Sequence, residues 1–155
     1  MFRNAVCAVA AGFLAVGIAA AAEAIRVSLS DFKIRGDLSD DLFGYDEIQD
    51  RLFFYTNGAM EAEVKIPEDG EYTITVEASC DEALDEKAKF KLTIGDEVVA
   101  KEHTLTQLDP KTYTFTAKLK KGEAKLAIEF LNDAFSEGEY DRNLYVHAVK
   151  LEKKK

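Results

Sequence analysis

Tryptophan is absent from this chain, and cysteine, histidine and proline occur twice each. Cys7 falls in a leader-like stretch, so Cys80 is the only cysteine expected in the mature chain and no intramolecular disulfide is available. An inert, half-buried thiol is the expectation. His103 and His147 are far apart in sequence and no cysteine pairs with either, which argues against zinc. Positive charge is also short: 20 Lys and Arg face 29 Asp and Glu, a net charge of −9. That balance opposes nucleic acid and anionic membrane, where cationic patches supply the affinity. No Ser/His/Asp, Cys/His or Gly-rich phosphate motif is present, so no catalytic residue is assigned and a non-enzyme is expected.

Long apolar runs are confined to the N-terminus. Arg3 supplies a positive start, Val6 to Ala22 is uncharged and rich in alanine, and Ala20-Ala21-Ala22 is a small-residue cleavage signal. Residues 1–22 therefore read as a secretory signal peptide, cut after Ala22 or, as a second option, after Ala24. Alanine is too weakly hydrophobic to favour a membrane anchor. The expectations are a secreted or periplasmic protein, no membrane insertion after cleavage, and one domain over residues 23–155. Losing Arg3 takes the net charge from −9 to −10. A chain of ~130 residues can bury an adequate core without disulfides.

What is present is period-2 alternation. Met60, Ala62, Val64 and Ile66 alternate with Glu61, Glu63 and Lys65; Tyr72, Ile74, Val76 and Ala78 follow the turn Pro67-Glu-Asp-Gly70. These two strands are expected to form a hairpin. Phe90, Leu92 and Ile94 run through Gly95-Asp96-Glu97 into Val98 to Leu105. Tyr113, Phe115, Ala117 and Leu119 reach Lys120-Lys-Gly122, expected to close another hairpin. Leu144 to Leu151 is apolar in both phases, which points to a central strand. Residues 30–51 read as a long acidic connection with a helical turn near Tyr45–Asp50, and Asp81 to Lys89 as a charged connection with room for another. Eight or nine short strands without a long helix predict an all-β fold, an antiparallel β-sandwich of jelly-roll type.

The acids concentrate in one loop. Asn132, Asp133, Glu137, Glu139, Asp141 and Asn143 crowd the segment between the strand ending at Phe130 and the strand starting at Leu144, against the single cation Arg142. Such a loop is either a solvated acidic hairpin or a hard-cation site. Calcium takes ~6–8 oxygen ligands, and Asp133, Glu139, Asp141 and Asn143 could supply four side-chain oxygens, with Gly138 giving the turn. The EF-hand register is missing. Asp37, Asp40 and Asp41 are further acids that could reach the same ion.

The run Ala127-Ile-Glu-Phe-Leu-Asn-Asp133 followed by Asp141-Arg-Asn-Leu-Tyr-Val146 resembles the C-terminal signature of calcium-dependent, xylan-binding carbohydrate-binding modules of families 60 and 36. Arg51 to Gly58 and Pro67 to Ile74 are similar to earlier parts of such modules. The resemblance implies a jelly roll with calcium at one end, where two neighbouring sugar hydroxyls replace waters on the ion. Carried onto this chain, Asp133 and Asp141 become the main calcium ligands, and Asn143 or a nearby carbonyl completes the shell. Asn132, Asp133, Tyr140, Asp141 and Arg142 are then the sugar-contact candidates, although the chemistry of Arg142 also suits pairing with an acid to fix the loop. The chain departs from the family in its acidic insert Ala134–Tyr140 and in lacking Trp and a bracing disulfide. An aromatic platform would have to come from Tyr140, Phe135, Tyr45 or Tyr55.

Three functions compete. The first is a secreted, non-catalytic, calcium-dependent module binding a polysaccharide such as xylan. The second is a structural protein of the cell envelope with a purely structural calcium loop and a protein partner. The third is an enzyme using Asp133 and Asp141 as an acid/base pair; both acids lie on one loop, which disfavours it.

Overall fold

The computed structural model describes residues 23–155, so the expected signal peptide, residues 1–22 with Cys7, lies outside the described residues. Thirteen strands follow in order: β1 (Ile25–Val27), β2 (Lys33–Ile34), β3 (Phe43–Asp46), β4 (Arg51–Phe54), β5 (Gly58–Ile66), β6 (Gly70–Cys80), β7 (Lys89–Ile94), β8 (Glu97–Thr104), β9 (Lys111–Leu119), β10 (Gly122–Phe130), β11 (Ala134–Ser136), β12 (Tyr140–Arg142) and β13 (Leu144–Lys153). The only helical piece among the described residues is a 3-10 turn at Leu29–Asp31. None of their helices is long and apolar enough to cross a membrane.

Two antiparallel sheets face each other. One runs β3-β4-β13-β6-β9, with β1 also pairing β13; the other runs β2-β5-β10-β7-β8. β11 and β12 form a separate hairpin. The alternating residues of β5, β6, β7 and β10 put Met60, Ile66, Tyr72, Ile74, Val76, Phe90, Leu92, Leu126, Ile128 and Phe130 between the sheets. Tyr72 buries its ring and donates its hydroxyl to the Glu68 carbonyl at 2.9 Å, which removes the cost of the buried polar group. The edge strand β8 carries Glu97, Lys101 and Glu102 on exposed positions, and such charges discourage pairing with another chain.

The antiparallel sandwich is as expected, but several connections are not. β5 and β6 lie in opposite sheets, and so do β9 and β10. The Pro67–Gly70 and Lys120–Gly122 turns are thus arches between sheets, not hairpins. Either geometry accepts the same turn residues and the same inward alternation, so local sequence does not separate them. The segment 30–51 holds β2 and the β3–β4 hairpin instead of a structureless connection with a helical turn. Its strands are two to four residues long, too short to display a period. In the 81–89 connection no helix forms; Ala83 and Glu86 bridge around Leu84 and Asp85, both at positive φ (55° and 59°). Cys80 is fully buried, and burial raises its thiol pKa.

β13 is central, as expected, but not because it is apolar on both faces. Its pairing with β6 shifts register between Val146 and Ala148. This β-bulge changes the phase of the strand. Leu144 and Val146 before it, and Val149 and Leu151 after it, all point into the core.

Candidate functional site

β4, β6 and β10 end, and β13 begins, at one end of the sandwich, and the acidic loop closes over that end. Along β12 and into β13 the side chains alternate. Asp141 and Asn143 point one way and Arg142 the other. Asp141, Asn143 and Tyr145 line an open cleft of about 490 Å³ together with Asp133, Thr56, Tyr55, Leu42 and Phe135. Asp133 enters from the exit of β10, where its N–H donates to Asn57 Oδ1 at 2.7 Å. Phe135 sits opposite Asp141 in the β11–β12 register and is 65% exposed.

The polar groups of the cleft are unequally satisfied. Asn143 is 5% exposed. Its Nδ2 donates to Asp81 Oδ2 and to Asp141 Oδ2, both at 3.0 Å. Its Oδ1 is buried without a partner, and so is Asp133 Oδ1. Unpaired buried acceptors are uncommon because each carries a desolvation penalty. Burial pushes the Asp133 carboxyl above its ordinary range and the charge of Asp141 adds to this, while the Thr56 hydroxyl opposes it. Tyr145 is shifted upward as well, first by burial and then because its hydroxyl donates to Asp81 Oδ2 at 2.8 Å. The Arg51 guanidinium lies 3.9 Å from the Tyr145 ring centre, within cation–π range.

The structure divides the residues singled out by sequence. Asp133, Asp141 and Asn143 meet at the cleft. Asn132 does not reach it: Oδ1 accepts from Lys89 N–H at 2.7 Å and Nδ2 donates to the Lys87 carbonyl at 3.0 Å. Arg142 is 3% exposed and faces away from the cleft. It donates to the carbonyls of Glu86 (2.9 Å), Asn132 and Ala83, and pairs with the Glu86 carboxylate at 3.7 Å. The polar atoms of both residues are spent on holding these loops together, and for Arg142 this is the loop-fixing role that its chemistry suits. Glu139 accepts from Ser136 Oγ at 2.7 Å at the exposed tip of the β11–β12 hairpin. Glu139 and Tyr140 are outside the cleft lining. From the 31–50 segment it is Leu42 that lines the cleft, not Asp37, Asp40 or Asp41.

Sequence reasoning missed Asp81 and Tyr145. Tyr145 was accessible to it, since strand alternation places Asn143 and Tyr145 on one side. Asp81 was not: it arrives from the end of β6 through long-range pairing, with Asp81 N–H donating to the Asn143 carbonyl at 3.1 Å.

Two carboxylates and one amide oxygen, gathered without a facing cation, form an electronegative concavity suited to a hard cation. Among the described residues no group of three or more His, Cys, Asp or Glu side chains is placed to hold a metal ion by itself. The two unpartnered buried oxygens line the same cleft and are hard acceptors of the kind that calcium takes.

A two-sheet scaffold with functional groups on loops at one end defines a β-sandwich recognition module. The family model of calcium-dependent, xylan-binding carbohydrate-binding modules, family 60, matches residues 73–155, and the chain belongs to that family. The family is one of non-catalytic carbohydrate-binding modules. Solved structures share the fold. A family 36 module of a multidomain xylanase from the hindgut metagenome of Trinervitermes trinervoides superposes with TM-score 0.62 and 13% identity, over 86% of this chain and 99% of that one. A family 36 module in complex with calcium and xylotriose gives TM-score 0.58 and 17% identity over 85% and 99%. The mannan-binding module from Man5C gives 0.59 and 19% over 84% and 99%. Among curated proteins none matches the chain.

Proposed function

We propose that this chain is a secreted, calcium-dependent, non-catalytic module that binds xylan or a similar polysaccharide at the cleft between Asp133 and Asn143. The observation that carries the reading is the pair of buried acceptors, Asp133 Oδ1 and Asn143 Oδ1, left without partners beside Asp141. Asp133, Asp141 and Asn143 would hold the ion. Calcium supplies a Lewis-acidic centre for neighbouring sugar hydroxyls. The side chains provide fewer than the ~6–8 oxygens calcium takes, so water, backbone carbonyls and ligand hydroxyls have positions to fill. Asp133 and Asp141 also accept hydrogen bonds from those hydroxyls, while the exposed faces of Phe135, Tyr55 and Leu42 offer apolar contact to the C–H face of a sugar ring. The family description and the calcium–xylotriose complex of the family 36 module support the choice of ion and sugar. The leader-like residues 1–22 support secretion into the periplasm or the medium.

A second reading rests on the same exposed side chains. Leu38, Leu42, Tyr55 and Phe135 gather apolar surface near the loop, which also suits a protein partner in the cell envelope with calcium in a purely structural role. Calorimetric titration with calcium, then with xylan and mannan fragments, with and without EDTA, separates the two. Sugar binding abolished by EDTA is the expected outcome. Calcium binding with no sugar response selects the structural reading, and absence of calcium binding rejects both.

A further inference from the structure

We propose that Asp81 is a positioning residue of this site, which fixes the Asn143 amide so that its carbonyl oxygen faces the ion position. The inference rests on the calcium-binding reading above and goes beyond it, because Asp81 lies on a different loop from the acidic segment.

The argument starts from the two ends of one amide. Both N–H bonds of Asn143 Nδ2 are used, one toward Asp81 and one toward Asp141. Rotating the amide by half a turn would aim Oδ1 at two carboxylates and leave the NH2 group facing the position where Oδ1 now has no partner. In a residue 5% exposed, water cannot compensate that repulsion. Asp141 alone would not lock the amide, since its strand is exposed at that residue and it holds only one of the two N–H bonds. Asp81 supplies the second and is itself held. Its backbone N–H donates to the Asn143 carbonyl at 3.1 Å, and its Oδ2 accepts from Tyr145 Oη at 2.8 Å. Tyr145 is in turn braced by Arg51. Asp81 does not line the cleft, so its influence passes through Asn143. This is the arrangement by which outer groups orient metal ligands and raise affinity.

The test measures calcium affinity and one signal that needs no calcium. In the metal-free protein, the Asn143 side-chain amide should give two separate proton resonances protected from solvent exchange. Asp81→Ala is expected to remove that protection and weaken calcium binding roughly 10–100-fold, the range usual for loss of an orienting partner. Asp81→Asn keeps an oxygen that accepts from Asn143 and should retain most of the affinity. In an Asn143→Ala background, Asp81→Ala should have little further effect. A loss in Asp81→Asn of that same roughly 10–100-fold would mean that the charge itself holds the ion and would overturn the proposal, whether or not the alanine variant folds. An undiminished effect of Asp81→Ala in the Asn143→Ala background would overturn it too. If wild-type protein binds no calcium, the functional reading falls. The amide signal then decides alone: protection that depends on Asp81 supports the positioning role, and protection that does not rejects it.

Discussion

The two ends of the sandwich treat their acids in opposite ways. At the end built from the β5–β6 and β9–β10 arches, carboxylates are met by cations and N–H groups. Asp69 accepts from Lys121 N–H at 2.8 Å and from Lys120 Nζ at 3.2 Å; Glu71 pairs with Lys154 at 2.7 Å and Glu68 with Lys153 at 2.9 Å. A larger depression of about 690 Å³ opens there, lined by Asp69 and Glu71 and by Asp96, Glu97 and Glu123, which are exposed to water. At the loop end, the nearby cations are turned elsewhere. Arg142 serves backbone carbonyls and Arg51 lies against the Tyr145 ring, while buried oxygens of Asp133 and Asn143 have no donor. A net charge of −9 alone says little about function. Acceptors that are buried and without a donor at one end, against acids that are paired or open to water at the other, mark where a ligand is expected, in spite of the larger hollow at the opposite end.

The largest effects should come from removing the two carboxylates of the cleft. Asp133→Ala and Asp141→Ala are each expected to abolish calcium binding by calorimetry while far-UV circular dichroism stays that of the folded sandwich. Loss of fold with the metal signal intact would reverse the contrast between the ends. Next is the scaffold beneath the site. Arg142→Ala leaves the Asn132 carbonyl without its donor, while the Ala83 and Glu86 carbonyls keep each other's N–H, and should cost about 2 kcal/mol, given ~1–3 kcal/mol for a buried group left unsatisfied. The check is denaturant unfolding of the metal-free protein, where a stability unchanged from wild type would show that the loops hold themselves.

A smaller effect is expected from Phe135→Ala. It should leave calcium affinity unchanged and weaken sugar binding by about 1 kcal/mol, since only part of a ring is covered and full burial of such a side chain gives ~1.5–3 kcal/mol. Equal weakening of both ligands would remove the distinction between ion site and apolar rim. A pH effect is expected from the two histidines. Burial lowers the pKa of His103, whose ring packs among Phe90, Tyr113 and Phe115, and that of His147. The unfolded chain therefore binds protons more readily below the ordinary histidine value, and stability should fall as pH drops from 7 through that range. Thermal melts of wild type and His103→Phe at pH 7 and pH 5 should show a smaller pH dependence in the variant. Least of all, Lys120→Ala at the arch end should change neither calcium affinity nor, measurably, the melting temperature, because the pair it forms is exposed.

The long strands were legible because five or more alternating residues suffice to show a period, as in β5, β6 and β10. Pairing was less so. Pro67–Gly70 reads as a turn whichever sheet the next strand joins, and only the partners of β5 and β6 reveal an arch. The two apolar phases of β13 were visible, but their cause, a bulge beside His147, depends on the facing strand. For the site, Asp133, Asp141 and Asn143 stood close in sequence as oxygen-bearing residues. The role of Asn132 could not be read there, since the backbone of a distant loop decides it; for Arg142 a loop-fixing role was legible, but not its partners on that same distant loop. Asp81 is contributed by that same loop.

Arg142 has one more consequence. Because its guanidinium ties the end of β12 to the 81–89 loop and to the Asn132 carbonyl at the entry to β11, the base of the hairpin is fixed, while Phe135, Glu137 and Glu139 are exposed and free to differ without disturbing the sheets beneath. The hairpin is thus a detachable cassette on a fixed mount. Exchanging a few residues at its tip would retune what the module grips, while the groups that hold the grip in place stay as they are.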